Sequence, residues 1–127
     1  MKKICPKCGK PLTVGVLYRV DELADRPQGG KPDLVIPYKH MVPLDEIIAE
    51  SFGMGTASKR VKAEYKNLVD KIGTEFFVLI DAPDSDLKSA TSPEVYEGIR
   101  RVREGKLHIE PGYDGEYGVV KIFTEEE

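Results

Sequence analysis

Apolar residues recur along the chain in two rhythms, one of period two and one of period near 3.6, and the switch between them marks out the elements. Residues 12–20 alternate, with Val14, Val16, Tyr18 and Val20 on one face and Thr13, Gly15, Leu17 and Arg19 on the other. This predicts a strand, because successive side chains of an extended chain point to opposite sides. Pro27, Gly29, Gly30, Pro32, Pro37 and Pro43 interrupt every candidate element that follows. Residues 21–43 are therefore expected to form a linker or an arm lying on another surface, with a single helical turn at 21–26. Leu44, Ile47, Ile48 and Phe52 then fall on one stripe that opens at Pro43 and stops at Gly53, the spacing of an amphipathic helix. A second helix follows, which Thr56 or Ser58 can cap. Val61, Tyr65, Leu68, Val69 and Ile72 line one of its faces, and Gly73 ends it.

Beyond Gly73 the rhythm changes again. Phe76-Phe77-Val78-Leu79-Ile80 is an unbroken apolar run between Gly73 and Pro83, which predicts a central strand over 75–81 with both faces covered. Residues 84–91 are polar and read as loop. Ser92-Pro93-Glu94 starts a third helix with a capping serine, a proline in the first turn and an acid at the positive end of the dipole. Val95, Ile99 and Val102 form its stripe and Gly105 closes it. Two last strands are expected at 106–110 and 119–123, joined through the hairpin signal Asp114-Gly115. The resulting fold class is α+β: a zinc-knuckle strand and proline-rich arm leading into about three helices and a three-stranded, mainly antiparallel sheet. In domain terms, residues 1–20 are a partial zinc ribbon, 21–43 the arm, and 44–127 a compact domain with an acidic tail.

Composition narrows the class of protein. A length of 127 residues allows one modest domain with a small appendage. The longest apolar run is five residues, far short of the roughly 20 that a bilayer core requires, so no membrane association is expected. Met1-Lys2-Lys3 leads straight into a cysteine pair, so no secretory signal is expected, and with two cysteines in all a reducing, cytoplasmic location follows. The net charge of -3 is matched by Glu125, Glu126 and Glu127, which leaves the folded body about neutral and argues against a globally basic nucleic-acid coat.

The densest chemistry lies in Cys5-Pro6-Lys7-Cys8-Gly9. Two cysteines two apart with a following glycine let backbone N–H groups point at the sulfurs while both thiolates face one cation, half of a tetrahedral structural zinc site. The plainer alternative is a tight turn with two free thiols. His40 and His108 stand 32 and 100 residues beyond Cys8, outside the spacings of ordinary fingers, so completion is expected from another cysteine pair, in a segment elsewhere or in a second copy of the chain as a zinc-sharing homodimer. Gly53-Met54-Gly55 before Thr56-Ala57-Ser58-Lys59-Arg60 loosely matches a helix-hairpin-helix phosphate loop, against which stands a simple glycine bend between packed helices. Lys59, Arg60 and Lys62 with Arg100, Arg101 and Arg103 are the main basic clusters. On one shared face they would form a phosphate-backbone footprint of about four to six contacts; the alternative is two solvated helix faces. A P-loop and a Gly-x-Ser-x-Gly elbow are missing from the sequence, and two histidines cannot furnish a multinuclear hydrolase. No catalytic residues are assigned, although Tyr113, Asp114, Glu116 and Tyr117 would be the place for a small independent enzyme site if they are more than a turn.

CPKCGKPLTVGVLYRVDELADRP at 5–27, PYKHMVPLDEIIAE at 37–50, SKRVKAEY at 58–65 and PGYDGEYG at 111–118 resemble the region of endonuclease Q-like proteins that follows their catalytic domain. Such proteins carry a metal-dependent polymerase-and-histidinol-phosphatase (PHP) nuclease domain, a zinc segment with two cysteine pairs, and a mixed C-terminal part; some relatives bear a helicase-like label. Only Cys5 and Cys8 match the zinc segment, and the catalytic domain has no counterpart here. The resemblance thus implies a non-catalytic module with structural zinc at half a site, assisting DNA binding or docking on a PHP nuclease domain in cis or in trans. It also implies that Arg19, Asp25 and Arg26 belong to a docking arm, where the residues themselves equally allow local salt bridges. A protein-interaction module with no nucleic-acid role is the alternative.

Overall fold

The structure is a computed structural model that describes residues 3–112 and 115–124. It forms two compact units, Met1–Pro37 with Gly112–Tyr117, and Tyr38–Pro111 with Gly118–Glu127. The described residues hold six helices: α1 (Val16–Leu23), α2 (Leu44–Ser51), α3 (Lys59–Lys71), α4 (Glu75–Ile80), α5 (Asp84–Ala90) and α6 (Pro93–Glu104). They also hold one antiparallel sheet of two strands, β1 (His108–Glu110) and β2 (Val119–Lys121), in the register His108–Lys121, Ile109–Val120 and Glu110–Val119. No helix is long and apolar enough to cross a membrane among these residues.

The larger unit follows the apolar stripes of α2, α3 and α6. Leu44, Ile47, Ile48, Val61, Leu68, Val95 and Ile99 are fully buried and share one core, each worth about 1.5–3 kcal/mol in area removed from water. Helices α2 and α6 pack most intimately, at Gly98, where a Cβ would stand 2.9 Å from Ile47 Cγ2 and 3.0 Å from Ser51 Oγ. The Ser58 hydroxyl caps α3 by accepting from the Val61 N–H at 3.2 Å. Gly105, at φ 69°, closes α6 in the left-handed conformation that favours glycine. Long-range hydrogen bonds tie sequence-distant parts together. Glu50 Oε1 accepts from the N–H groups of Ile122 and Phe123 at 2.7 and 2.9 Å, which fixes the segment after β2 to α2. Glu75 accepts from the Leu44 N–H (2.9 Å) and the Tyr65 hydroxyl (3.1 Å), so the open N-terminus of α2 is capped from α4. The same hydrogen bond and the nearby carboxylate hold the Tyr65 phenol above its ordinary pKa.

Three expectations give way. The apolar run 75–81 is the helix α4, so the sheet has two strands and no central one. Thr74 Oγ1 accepts from the Phe77 N–H at 3.4 Å and Glu75 sits in the first turn, and burial falls on one side, at Val78 and Leu79, while Phe76 and Phe77 stay exposed. Residues 84–91 are not loop: α5 carries Asp84 and Asp86 in its first turn and buries Leu87 and Ala90. In the alternating stretch 12–20, Val16 onward is helical instead, because Val16, Val20 and Leu23 also stand at helical spacing and none of residues 12–20 joins a strand. The count of about three helices therefore becomes six.

Candidate nucleic-acid interface and zinc half-site

In the smaller unit the cysteine knuckle is formed. The chain reverses between Ile4 and Pro11 through Cys5 N–H to Lys10 O, Gly9 N–H to Cys5 O and Leu12 N–H to Lys3 O, each 2.9 Å. Gly9 has φ 67°, which a side chain would resist. The backbone N–H groups of Cys8 and Lys7, then the Cys8 thiol, stabilise the Cys5 thiolate and lower its pKa. Cys5 and Cys8 are both free thiols. No group of three or more metal-ligating side chains exists among the described residues. His108 instead faces Glu110 at 3.4 Å, and the His40 ring stands edge-on to Tyr38 at 5.1 Å. The residues present fit half of a zinc site.

The two basic clusters separate by what they already hold. Arg103, only 21% exposed, donates to the carbonyls of Val78 (2.7 Å), Leu79 (3.0 Å) and Ala82 (2.9 Å), and lies 3.5 Å from Asp84. It closes the C-terminal end of α4. Arg100 donates twice to Glu97, at 2.8 and 2.9 Å, and once to Glu104 at 2.9 Å, while Arg101 reaches Glu97 at 3.0 Å and the Ile122 carbonyl at 3.3 Å. These three guanidiniums are committed to the fold. On α3, by contrast, Lys59 and Lys62 are exposed and their side chains make no hydrogen bond or ion pair among the described residues, and the Arg60 guanidinium lies 4.2 Å above the Phe52 ring. Lys66, which the sequence reading passed over, is equally exposed and free. Its offset of seven from Lys59, with Lys62 between, puts the three lysines on one face of α3 and was the signal that would have found it. The Gly53-Met54-Gly55 bend does less than a phosphate loop requires, since the Gly53 and Met54 N–H groups already donate to Glu50 O (3.0 Å) and Ala49 O (2.9 Å) at the end of α2.

The remaining candidates are local. Arg19 pairs with Glu22 at 2.7 Å on α1, and Arg26 with Asp25 at 2.7 and 2.9 Å. The Asp25 carboxyl is held below its ordinary pKa by that guanidinium. Glu116 and Tyr117 are exposed, and Tyr113 and Asp114 lie outside the described residues.

Glu97 gives a pH test of the arginine cluster. Hydrogen bonds from Arg100 and Arg101 hold its carboxyl at about 2, below the ordinary 4.5. A carboxyl depressed in the folded state stabilises above its ordinary pKa and loses that contribution as pH falls toward the folded value. Glu97→Gln is expected to cost about 1 kcal/mol at pH 7, solvent screening of this partly exposed group included. The difference from the parent protein should vanish between pH 4.5 and about 2 in denaturant titrations; a constant difference across that range would refute the assignment.

Comparison with known proteins places these features. Residues 43–106, just over half of the chain, match the family model described as MJ0043 C-terminal domain. The chain is 42% identical over 121 residues to the uncharacterized protein MJ0043 of Methanocaldococcus jannaschii, covering 93% of this chain and 15% of that protein. It is 34% identical over 118 residues to the uncharacterized protein YqxK of Bacillus subtilis, covering 92% of this chain and 27% of that one. Among solved structures it matches the lesion-specific endonuclease PfuEndoQ from Pyrococcus furiosus, with a TM-score of 0.76 and 39% identity, over 94% of this chain and 29% of the nuclease. Endonuclease Q in complex with a 27-mer duplex bearing an abasic lesion at the active site matches with a TM-score of 0.73 and 40% identity, over 98% of this chain and 30% of that one. The chain spans less than a third of each of these proteins, and the likeness is that of a C-terminal module of endonuclease Q-like proteins. With the helical core of α2 to α6 falling inside the matched residues, the chain belongs to the MJ0043 C-terminal domain family.

Proposed function

We infer that the chain is a non-catalytic module of an endonuclease Q-like DNA repair nuclease, assisting DNA binding through the free lysine face of α3. The observation that carries this reading is the likeness, over 98% of the chain at 40% identity, to a nuclease seen with damaged duplex DNA. Lys59, Lys62 and Lys66 supply phosphate contacts and Arg60 a fourth positive charge; Arg100, Arg101 and Arg103 hold the fold under them. Cys5 and Cys8 would hold two of the four positions of a zinc ion, which when bound crosslinks the knuckle to whatever supplies the other two. The nuclease reaction belongs, in this reading, to the PHP domain with which the module works.

The test is the salt dependence of binding to a labelled 27-mer duplex with an abasic site. Three to four phosphate contacts give log K against log salt a slope of about -3, and the triple variant K59A/K62A/K66A should reduce it to about -1 or less in magnitude, the part left to Arg60. Affinity that ignores both salt and the triple variant would overturn the DNA role and leave a protein-interaction module. Cleavage of the duplex by this chain alone would overturn the non-catalytic assignment.

A further inference from the structure

Given the DNA-binding reading above, on which this rests, we propose that Arg60 grips one backbone phosphate of the DNA with its guanidinium fork and that Phe52 is the positioning residue that holds the fork in place. The chain has six arginines. Arg19, Arg26, Arg100 and Arg101 donate to carboxylates, and Arg103 donates to three carbonyls. Arg60 is exposed, and its guanidinium makes no hydrogen bond or ion pair among the described residues. The Glu94 carboxyl, held below its ordinary pKa first by its own backbone N–H, feels the Arg60 charge only as a lesser attraction.

What Arg60 has in place of an acceptor is a platform. Its guanidinium carbon stands 4.2 Å from the centroid of the Phe52 ring, inside the roughly 6 Å of a cation–π contact. The ring is itself fixed, because Phe52 caps the C-terminus of α2, donates its N–H to Ile48 O at 3.1 Å and packs, partly buried, against the core. The Ser58 cap fixes the first turn of α3, which carries Arg60. A long side chain gives up rotamer freedom when it binds, and one already restrained over a ring has less to lose. Five N–H donors in a planar fork match the oxygens of a phosphate or a carboxylate two at a time, which the point charge of a lysine does not. Two observations select phosphate. Lys59 and Lys62 beside Arg60 are free as well, so the acceptor meets several cations at once. The endonuclease Q matched over 98% of this chain is a complex with duplex DNA.

The experiment titrates the full chain and its variants R60K, F52L and F52Y with the labelled 27-mer duplex carrying an abasic site, at several salt concentrations and at a temperature where thermal melts show each protein folded. R60K keeps the charge and loses the fork, so affinity should fall about tenfold while the slope of log K against log salt stays at about -3. F52L keeps apolar bulk and loses the ring, and should weaken binding about three- to tenfold with the same slope. F52Y keeps the ring and should stay within about twofold of the parent. R60K binding like the parent overturns the clamp and leaves the lysine face standing. F52L binding like the parent, or F52Y weakened as much as F52L, overturns the role of Phe52. Unchanged DNA affinity in R60K and F52L, with weakened binding to the catalytic portion of endonuclease Q, shows a protein carboxylate on Arg60 and also overturns the proposal. If the parent chain has no salt-dependent affinity for the duplex, the DNA reading itself falls and the clamp with it.

Discussion

Arg103→Ala is expected to lower the unfolding free energy by about 3 kcal/mol, and with it the Tm of this small domain by roughly 10–20 °C. One guanidinium satisfies three carbonyls, Val78, Leu79 and Ala82, at 2.7 to 3.0 Å, and Val78 is fully buried. α4 has only six residues, so Val78 and Leu79 are a third of its backbone acceptors, and Ala82 lies in the turn that follows. Truncation leaves them without a donor in a place that water reaches poorly, and the cost of an unmade charged hydrogen bond applies more than once. Arg103→Lys keeps the charge but not the planar fork, so it should recover less than half of the loss. Thermal melts of the three proteins decide the matter. A lysine variant as stable as the parent would mean that charge near Asp84, and not the three-carbonyl clamp, is what stabilises the turn.

Gly98→Ala should destabilise by about 1–3 kcal/mol although alanine is the better helix former by nearly 1 kcal/mol. Gly98 is buried in the middle of α6, where a Cβ would come within 2.9 Å of Ile47 Cγ2 and 3.0 Å of Ser51 Oγ. Neither neighbour gives way readily. Ile47 is fully buried and its Cγ2 sits one bond from Cβ, and the Ser51 hydroxyl donates to the Ile47 carbonyl at 2.7 Å. The two helices would have to part, and Phe123, 3.6 Å from the same point, would move with them. Denaturant unfolding reads the sign directly: a stabilised Gly98→Ala protein would show that α2 and α6 are not packed this closely.

The legible parts of the fold were those with enough length to show a period. α2, α3 and α6 were each marked by three or more stripe residues, a start signal and a glycine stop, and they form the core. α4 was not, because five apolar residues in a row fit a strand and a helix equally; a threonine cap, an acid in the first turn and an arginine from α6 decide it. α5 offers only Leu87 and Ala90 as buried positions. The basic clusters show where sequence stops informing. Glu97 and Glu104 stand three, four and four residues from Arg100 and Arg101, so those pairings were readable from helical spacing. The partners of Arg103 are backbone carbonyls some 21 to 25 residues away, which only the tertiary fold brings together. The Cys-x-x-Cys-Gly spacing, in contrast, was enough to place the tight reversal between Ile4 and Pro11, because Gly9 takes the positive φ that closes it.

The centre of the account is the proposal that Cys5 and Cys8 are two ligands of a structural zinc whose other two come from the rest of an endonuclease Q-like nuclease. The most direct measurement is the zinc-to-chain ratio by native mass spectrometry, first on the chain alone and then after mixing with the catalytic portion. The account predicts less than one zinc per chain in isolation, lost to a chelator, and one retained zinc per complex, with C5S/C8S abolishing it. One zinc per isolated chain, retained against chelator, would contradict it.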